Sequence, residues 1–177
     1  LDEVETGLEP HRLRQLLGAI TRVVGSDDDG NGQIFFTSHS PVVLEELGCE
    51  GMHLVRSDAG TISVTALEDD LVDVVRANPS SLLANKVVVC EGKTEVGLLL
   101  GMEGAWSRRH DARPISHVGV AIANGGGHSA AARALKLAML GYDVLLFSDS
   151  DRVLSPTRST LEAADVTVAQ WGDEVCT

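Results

Sequence analysis

Two pairs of acidic residues, each at the end of an apolar segment, are the best candidates for chemistry in this chain. Glu91 directly follows one aliphatic run, and Glu95 lies four residues later; Asp149 and Asp151 end a second run. In an extended segment the side chains of Asp149 and Asp151 leave on the same side. If the two runs are neighbouring strands, all four carboxylates converge, and such like charges require a divalent cation. Hard oxygen ligands suit Mg²⁺ or Mn²⁺.

A pair of cations held by four carboxylates is typical of enzymes that hydrolyse phosphate esters. Two ions about 3.5 to 4 Å apart can activate a water molecule and stabilise a leaving oxygen. The alternative is a purely structural one, because acids after strands are also common as turn residues and helix caps. Either pair alone leaves both interpretations open, whereas the two together, in this order and at two strand ends, favour the metal site.

Glycines occur in two of the loops next to the predicted site. Gly92 lets the backbone turn sharply after Glu91. Gly125 and Gly126 belong to a glycine cluster between a strand and a helix, where backbone amides can approach a phosphate group. A flexible connection is the alternative for this cluster, so we expect a supporting role at most.

The elements that must position these groups alternate between strands and helices. In the first part the pattern predicts a helix from Pro10 to Gly25, a buried strand at 33–37, a short helix at 41–47 and a hairpin of strands 52–56 and 61–66. In the second part it predicts strands 86–90, 117–122 and 143–147, with helices at about 94–103 and 128–140. An α/β fold with a largely parallel sheet follows, and functional groups collect at the carboxyl ends of such strands.

Composition sets limits on the partners. The 177 residues carry a net charge of −12, the opposite of the basic surface that holds nucleic acid, although carboxylates that bind cations account for part of it. Three widely spaced cysteines indicate a reducing, cytoplasmic setting, and the sequence contains no apolar run of about 20 residues that would cross a membrane. Because Leu1 is not an initiator methionine, we expect a longer protein.

The two acidic strand ends resemble the Toprim catalytic domain, which occurs in topoisomerases, bacterial primases and a class of nucleases. The resemblance implies a Rossmann-like fold and chemistry on nucleic-acid phosphates. A topoisomerase needs a nucleophilic tyrosine. The single tyrosine of this sequence, Tyr142, lies just before a strand, so topoisomerase activity is not expected. A receiver-like sheet with Asp149 as phospho-acceptor is disfavoured, because no lysine follows Lys136. Asp173 and Glu174 lie where related nucleases supply a further ligand, although a solvated acidic turn fits them equally well.

The amino-terminal residues resemble the end of the Walker B strand and the following loop of ABC-type ATPases. The resemblance implies that Asp2 holds Mg²⁺ and that Glu3 polarises the attacking water. About thirty residues later, a segment resembles the switch strand, with His39 reaching the γ-phosphate. No phosphate-binding Gly-Lys-Ser/Thr loop is present in this sequence, so ATP hydrolysis is not expected from this chain alone.

An ABC-like ATPase end followed by a Toprim domain resembles the OLD (overcoming lysogenization defect) family of ATP-associated endonucleases. On this resemblance residues 1–67 are the carboxyl-terminal part of the ATPase domain, 68–84 a linker and 85–177 the Toprim nuclease domain. It implies that DNA is cleaved with two Mg²⁺ or Mn²⁺ ions and that the full-length protein binds ATP. It also implies a homodimer or higher homo-oligomer with a role in DNA repair or phage defence. A non-catalytic assembly or regulatory module is the alternative.

Within that resemblance the acids take definite roles. Glu91 is the expected catalytic acid/base or principal ligand, and Glu95, Asp149 and Asp151 are the expected metal ligands. Val4 departs from the family pattern, in which a proline commonly follows the Walker B acids.

Overall fold

The computed structural model divides the chain into two compact units, Leu1–Pro79 and Ser80–Thr177. The boundary falls within the segment 68–84 that the sequence analysis treats as a linker. Part of that segment is helical. The structure describes residues 1–25, 32–49, 51–58, 60–67, 72–109, 111, 113–151 and 153–172.

Among the described residues, the first unit contains three helices and a hairpin. Helix α1 spans Pro10–Gly25 and α2 spans Pro41–Leu47, strands β1 (His53–Asp58) and β2 (Thr61–Ala66) pair antiparallel, and α3 covers Val72–Ala77. Four of its buried side chains form one apolar cluster: Val4, Leu13, Leu17 and Val43. Further buried side chains of this unit are Cys49, Leu67, Val74 and Val75. Leu13 and Leu17 lie one turn apart on α1, as the helical spacing predicts.

The predicted buried strand at 33–37 is wrong. Residues 32–40 have no strand assignment, and Phe35 is 75% exposed. The segment is nevertheless tied to the amino terminus, because the Thr37 amide donates to the Leu1 carbonyl (3.0 Å) and the Val4 amide donates to the Thr37 carbonyl (3.1 Å). Phe36 is half-buried against the apolar cluster of the first unit, whereas Ile34 and Phe35 are exposed.

The second unit contains the predicted parallel sheet, with helices against it. Strands β3 (Lys86–Cys90), β4 (Val120–Asn124), β5 (Asp143–Asp149) and β6 (Thr167–Trp171) are all parallel, in the order β4-β3-β5-β6. Helix α4 spans Lys93–Arg109, α5 spans Ala130–Met139 and α6 spans Arg158–Ala163. The mixed α/β class is confirmed. Because β3 and β5 are adjacent and parallel, the residues that follow them lie at the same edge of the sheet.

Helix α5 covers the sheet face beneath that edge. It contacts β3 and β5, and its buried side chains are small or aliphatic: Ala130, Ala131, Ala134 and Leu137. On β5 the buried positions alternate along the strand, at Val144, Leu146 and Ser148. Alternation of this kind places one face of a strand against the core. Ser148 is therefore a hydroxyl on an otherwise aliphatic face.

Several elements differ from the sequence pattern in position or were absent from it. Helix α4 continues six residues beyond the predicted end, and β4 begins at Val120 because residues Ile115–Val118 form a 3₁₀ turn. The pattern omitted α6 and β6 altogether, although Thr157 is a clear helix cap that accepts a hydrogen bond from the Thr160 amide. Strand β6 matters to the site because its last residue, Trp171, pairs with Asp149.

The single tyrosine has a structural partner. The Tyr142 hydroxyl donates to the Leu82 carbonyl at 2.6 Å, and the residue is only 4% exposed. A buried, hydrogen-bonded hydroxyl is not placed to attack a phosphate group. No helix in the described part of the chain is long and apolar enough to cross a membrane.

Candidate metal centre

Glu91 is held in place through both its backbone and its side chain. Its amide donates to the Phe147 carbonyl at 2.8 Å, and its carbonyl accepts from the Gly127 amide at 2.7 Å. Its carboxylate Oε2 accepts from the Asp149 amide at 3.2 Å. The first residue after β3 is thus connected to the end of β5 and to the glycine turn before α5. This network fixes where the carboxylate lies.

The end of β5 folds into a turn that brings its two acids together. The Asp151 amide donates to Asp149 Oδ1 at 2.6 Å, which is the side-chain-to-backbone bond of an Asx turn. Gln170 on β6 donates from its side chain to the Asp149 carbonyl at 3.2 Å. The position of Asp151 is therefore set by Asp149, and that of Asp149 by the neighbouring strand.

Three of the four predicted acids converge. Glu91, Asp149 and Asp151 each offer a carboxylate oxygen, and these atoms lie within 4.8 Å of one another. Glu91 and Asp149 are half-buried and Asp151 is exposed, so the group is open to solvent on one side. Carboxylates this close repel one another unless a cation lies among them. The arrangement fits a divalent ion with hard oxygen ligands and some retained water.

Glu95 lies outside this group, and the expectation that all four acids converge is corrected. Its Oε2 accepts the Gly92 amide at 2.8 Å, and the residue is 6% exposed. Glu95 is the third residue of α4, and a Glu at that position commonly reaches back to the amide that precedes the helix. One of the helix amides without an intrahelical partner is satisfied in this way by Glu95 Oε2.

The amides of Gly125, Gly126 and Gly127 bond within the protein, contrary to the interpretation that they approach a phosphate group. The Gly125 amide donates to the Cys90 carbonyl at 2.7 Å, the Gly126 amide to Asn124 Oδ1 at 2.9 Å, and the Gly127 amide to Glu91. All three bonds are internal. The turn instead supports the site, because it attaches the start of α5 to the end of β3 and holds the backbone of Glu91.

A soft metal does not suit this edge of the sheet. The nearest thiol in sequence is that of Cys90, whose burial, together with the negative charge of Glu95, raises its pKa to about 12. A thiol that stays protonated is a poor metal ligand. The donors available are carboxylate oxygens, which favour Mg²⁺, Mn²⁺ or Ca²⁺ over zinc or copper.

The predicted extension of the site at the chain end is only partly described. Trp171 ends β6 beside Asp149, whereas Asp173 and Glu174 lie outside the described residues. Their part as further ligands stays a prediction.

In the first unit, Thr37 connects the two acids of the predicted ATP-site remnant. Its hydroxyl donates to Asp2 Oδ1 and accepts from the Glu3 amide, the latter at 2.9 Å. Glu3 has a positive φ of 44°, an uncommon backbone conformation for a non-glycine residue. No sequence pattern predicted a role for Thr37, although it lies two residues before the predicted switch histidine.

Glu5 is a second residue that the sequence analysis missed. Its Oε1 accepts the His39 amide at 2.6 Å, so the loop after Glu3 is bonded to the predicted switch segment. The His39 ring itself is exposed. Burial alone would raise the pKa of Glu5, but the hydrogen bond from the His39 amide and further local interactions outweigh it and lower the pKa below its ordinary value of 4.5.

This shift predicts a pH-dependent contribution to stability. A carboxyl whose pKa is lowered by folding stabilises the fold above about pH 4.5 and loses this contribution as pH falls through the lowered pKa. We expect Glu5→Gln to lower the midpoint of thermal unfolding at pH 7, with a smaller difference at pH 3. The exposed Glu9→Gln is the control and should show neither effect. A difference for Glu5→Gln that is the same at both pH values would contradict this account.

A match to a protein family supports the interpretation of the amino-terminal residues as part of an ATPase domain. A family model described as "AAA domain, putative AbiEii toxin, Type IV TA system" matches residues 1–45. The opening segment is similar to an AAA-type ATPase domain. The matched range contains Asp2, Glu3, Thr37 and His39, and it covers about a quarter of the 177 residues. No curated protein matches the chain.

Proposed function

We propose that Glu91, Asp149 and Asp151 form the metal centre of a Toprim-type nuclease, which hydrolyses phosphodiester bonds in DNA. The observation that carries this proposal is the convergence of the three carboxylates within 4.8 Å at the carboxyl ends of two adjacent parallel strands. An oxygen-only donor set at the open edge of an α/β sheet suits Mg²⁺ or Mn²⁺. The resemblance to the OLD family supplies the reaction class.

In this proposal each acid has a distinct task. Divalent cations, when bound, neutralise the phosphate and lower the pKa of a water molecule. Asp149 and Asp151 contribute ligand oxygens from a turn closed by the Asp151 amide. Glu91 contributes an oxygen from a carboxylate fixed by the Asp149 amide, and it accepts the proton of the attacking water. Glu95 supports the start of α4.

The similarity of residues 1–45 to an AAA-type ATPase domain supports a nuclease coupled to ATP. We propose that Asp2 and Glu3 belong to an ATP·Mg²⁺ site that the longer protein completes, and that the longer protein acts on DNA as a homo-oligomer. Because the chain's net charge is −12, we propose that basic residues of the longer protein contribute to holding the DNA backbone.

The same negative charge supports a second candidate function. A chain with a net charge of −12 fits a regulatory or assembly module, in which the acids bind one ion or none. This candidate predicts no cleavage. Isothermal titration of the protein with Mn²⁺ and a DNA cleavage assay separate the two functions.

The direct test is cleavage of supercoiled plasmid by the longer protein with Mg²⁺ or Mn²⁺. We expect Glu91→Gln to reduce the rate by about 10²–10⁴-fold, because the side chain keeps its shape but no longer accepts the proton. Glu103→Gln, the same change on α4 away from the carboxylate group, is the control and should cleave normally. Full cleavage by Glu91→Gln would rule out the proposed mechanism.

A further inference from the structure

A small cavity lies beside Glu91, on the sheet face covered by α5. Its volume is about 80 Å³, and its walls come from the end of β5, the start of α5 and the segment 153–155. Apolar side chains, among them Leu146 and Leu154, form much of the wall. Polar groups also line it, from Glu91, His128, Ser148 and Ser155.

The Ser148 hydroxyl is the unusual group in this cavity. The residue is 1% exposed, and its Oγ has no hydrogen-bond partner among the residues that the structure describes. A buried hydroxyl without a partner is unfavourable, so a position of this kind requires a ligand that can hydrogen-bond. The neighbouring core positions on the same face, Val144 and Leu146, are aliphatic and need none.

Glu91 offers the complementary atom. Its Oε2 accepts the Asp149 amide at 3.2 Å, and Glu91 lines the same cavity as Ser148. The cavity is far larger than the roughly 10–15 Å³ that one water molecule needs, and a buried water requires two or more polar partners. A hydroxyl donor and a carboxylate acceptor on the same cavity meet that requirement.

We propose that Ser148 is a positioning residue, which holds the Glu91 carboxylate through water bound in this cavity. The predicted effect of Ser148 on metal affinity rests on the proposed function, whereas its predicted effect on stability does not. One carboxylate oxygen is fixed by the Asp149 amide, and the bridging water fixes the rotation about the carboxylate. Partners of metal ligands that act in this way typically change metal affinity by 10–100-fold when they are removed.

The test compares Ser148→Thr with Ser148→Val in the full protein. Thr and Val have nearly the same shape, and the cavity has room for the added methyl groups, so the hydroxyl is the main difference. Without added metal, we expect the Val variant to unfold at a temperature about 2–4 °C below the Thr variant, because the water loses a partner. If the hydroxyl had no partner, the Val variant would be the more stable, and the proposal would fail.

The second measurement is isothermal titration with Mn²⁺. We expect Ser148→Val and Ser148→Ala to bind Mn²⁺ about tenfold more weakly than wild type, and Ser148→Thr to bind normally. Ser129→Ala is the matched control, because Ser129 is exposed and makes no capping bond at the start of α5. Equal affinity in all variants would overturn the positioning role. Absence of Mn²⁺ binding by wild type would overturn the proposed function and leave the unfolding comparison intact.

Discussion

Asp149→Asn should weaken Mn²⁺ binding by at least about 100-fold and abolish DNA cleavage by the longer protein. Asn keeps a side-chain oxygen that can accept the Asp151 amide, so the turn at the end of β5 is retained. The charge is lost, however, and an amide oxygen is a weaker ligand for a hard cation than a carboxylate. The substitution therefore separates the electrostatic role of Asp149 from its structural role. Isothermal titration and plasmid cleavage provide the two measurements.

The control for this prediction is Asp165→Asn. Asp165 is exposed, has a φ of 59° and precedes β6, at the opposite edge of the sheet from the carboxylate group. Asn tolerates this left-handed conformation as readily as Asp does. The control makes the same change in charge, and we expect it to bind Mn²⁺ and cleave DNA as wild type does. Unchanged Mn²⁺ affinity in Asp149→Asn would remove Asp149 from the metal centre.

The sequence predicted the convergence of acids well because two simple features determine it. An aliphatic run that ends in an acid places that acid at a strand terminus, and the α/β alternation makes β3 and β5 parallel. Glu91, Asp149 and Asp151 follow from these features alone. Their convergence required only that the two strands be neighbours, which the sequence analysis stated as a condition.

The side-chain direction of Glu95 could not be predicted from the sequence. A Glu in the first turn of a helix can face a ligand or reach back to the amide before the helix, and both choices fit the spacing of four residues from Glu91. The choice depends on a single rotamer and one hydrogen bond to Gly92. No pattern in the sequence resolves a rotamer. The glycine turn has the same limit, because the sequence predicts flexible backbone but not which carbonyls its amides will bind.

The wrong strand at 33–37 has a different cause. Its composition is typical of a buried strand, but burial depends on elements on either side of it. Within the described residues it contacts the first four residues of the chain through a few backbone bonds, and Phe35 stays exposed. Phe36 packs against the apolar cluster of the first unit, but the segment forms no strand among the described residues, because strand pairing and burial are tertiary properties.

Gly125→Ala should be the most damaging single methyl addition in the second unit. A Cβ at this position would clash with the Ala130 Cβ and would lie 2.6 Å from the Cys90 carbonyl oxygen. Neither contact can relax by moving a flexible side chain, since one group belongs to α5 and the other to the backbone of β3. We expect the free energy of unfolding to fall by about 1–3 kcal/mol, as for other overpacked cores.

The same substitution should also weaken the metal centre. Displacing the turn at Gly125 strains the bond from the Gly127 amide to the Glu91 carbonyl, and Glu91 then loses one of the contacts that fix its position. We therefore expect weaker Mn²⁺ binding at a temperature where the variant is still folded. Gly101→Ala is the control, because a Cβ there meets nothing within 4 Å and Ala is the better helix former. If Gly125→Ala had the unfolding midpoint and Mn²⁺ affinity of Gly101→Ala, the turn would not be what positions Glu91.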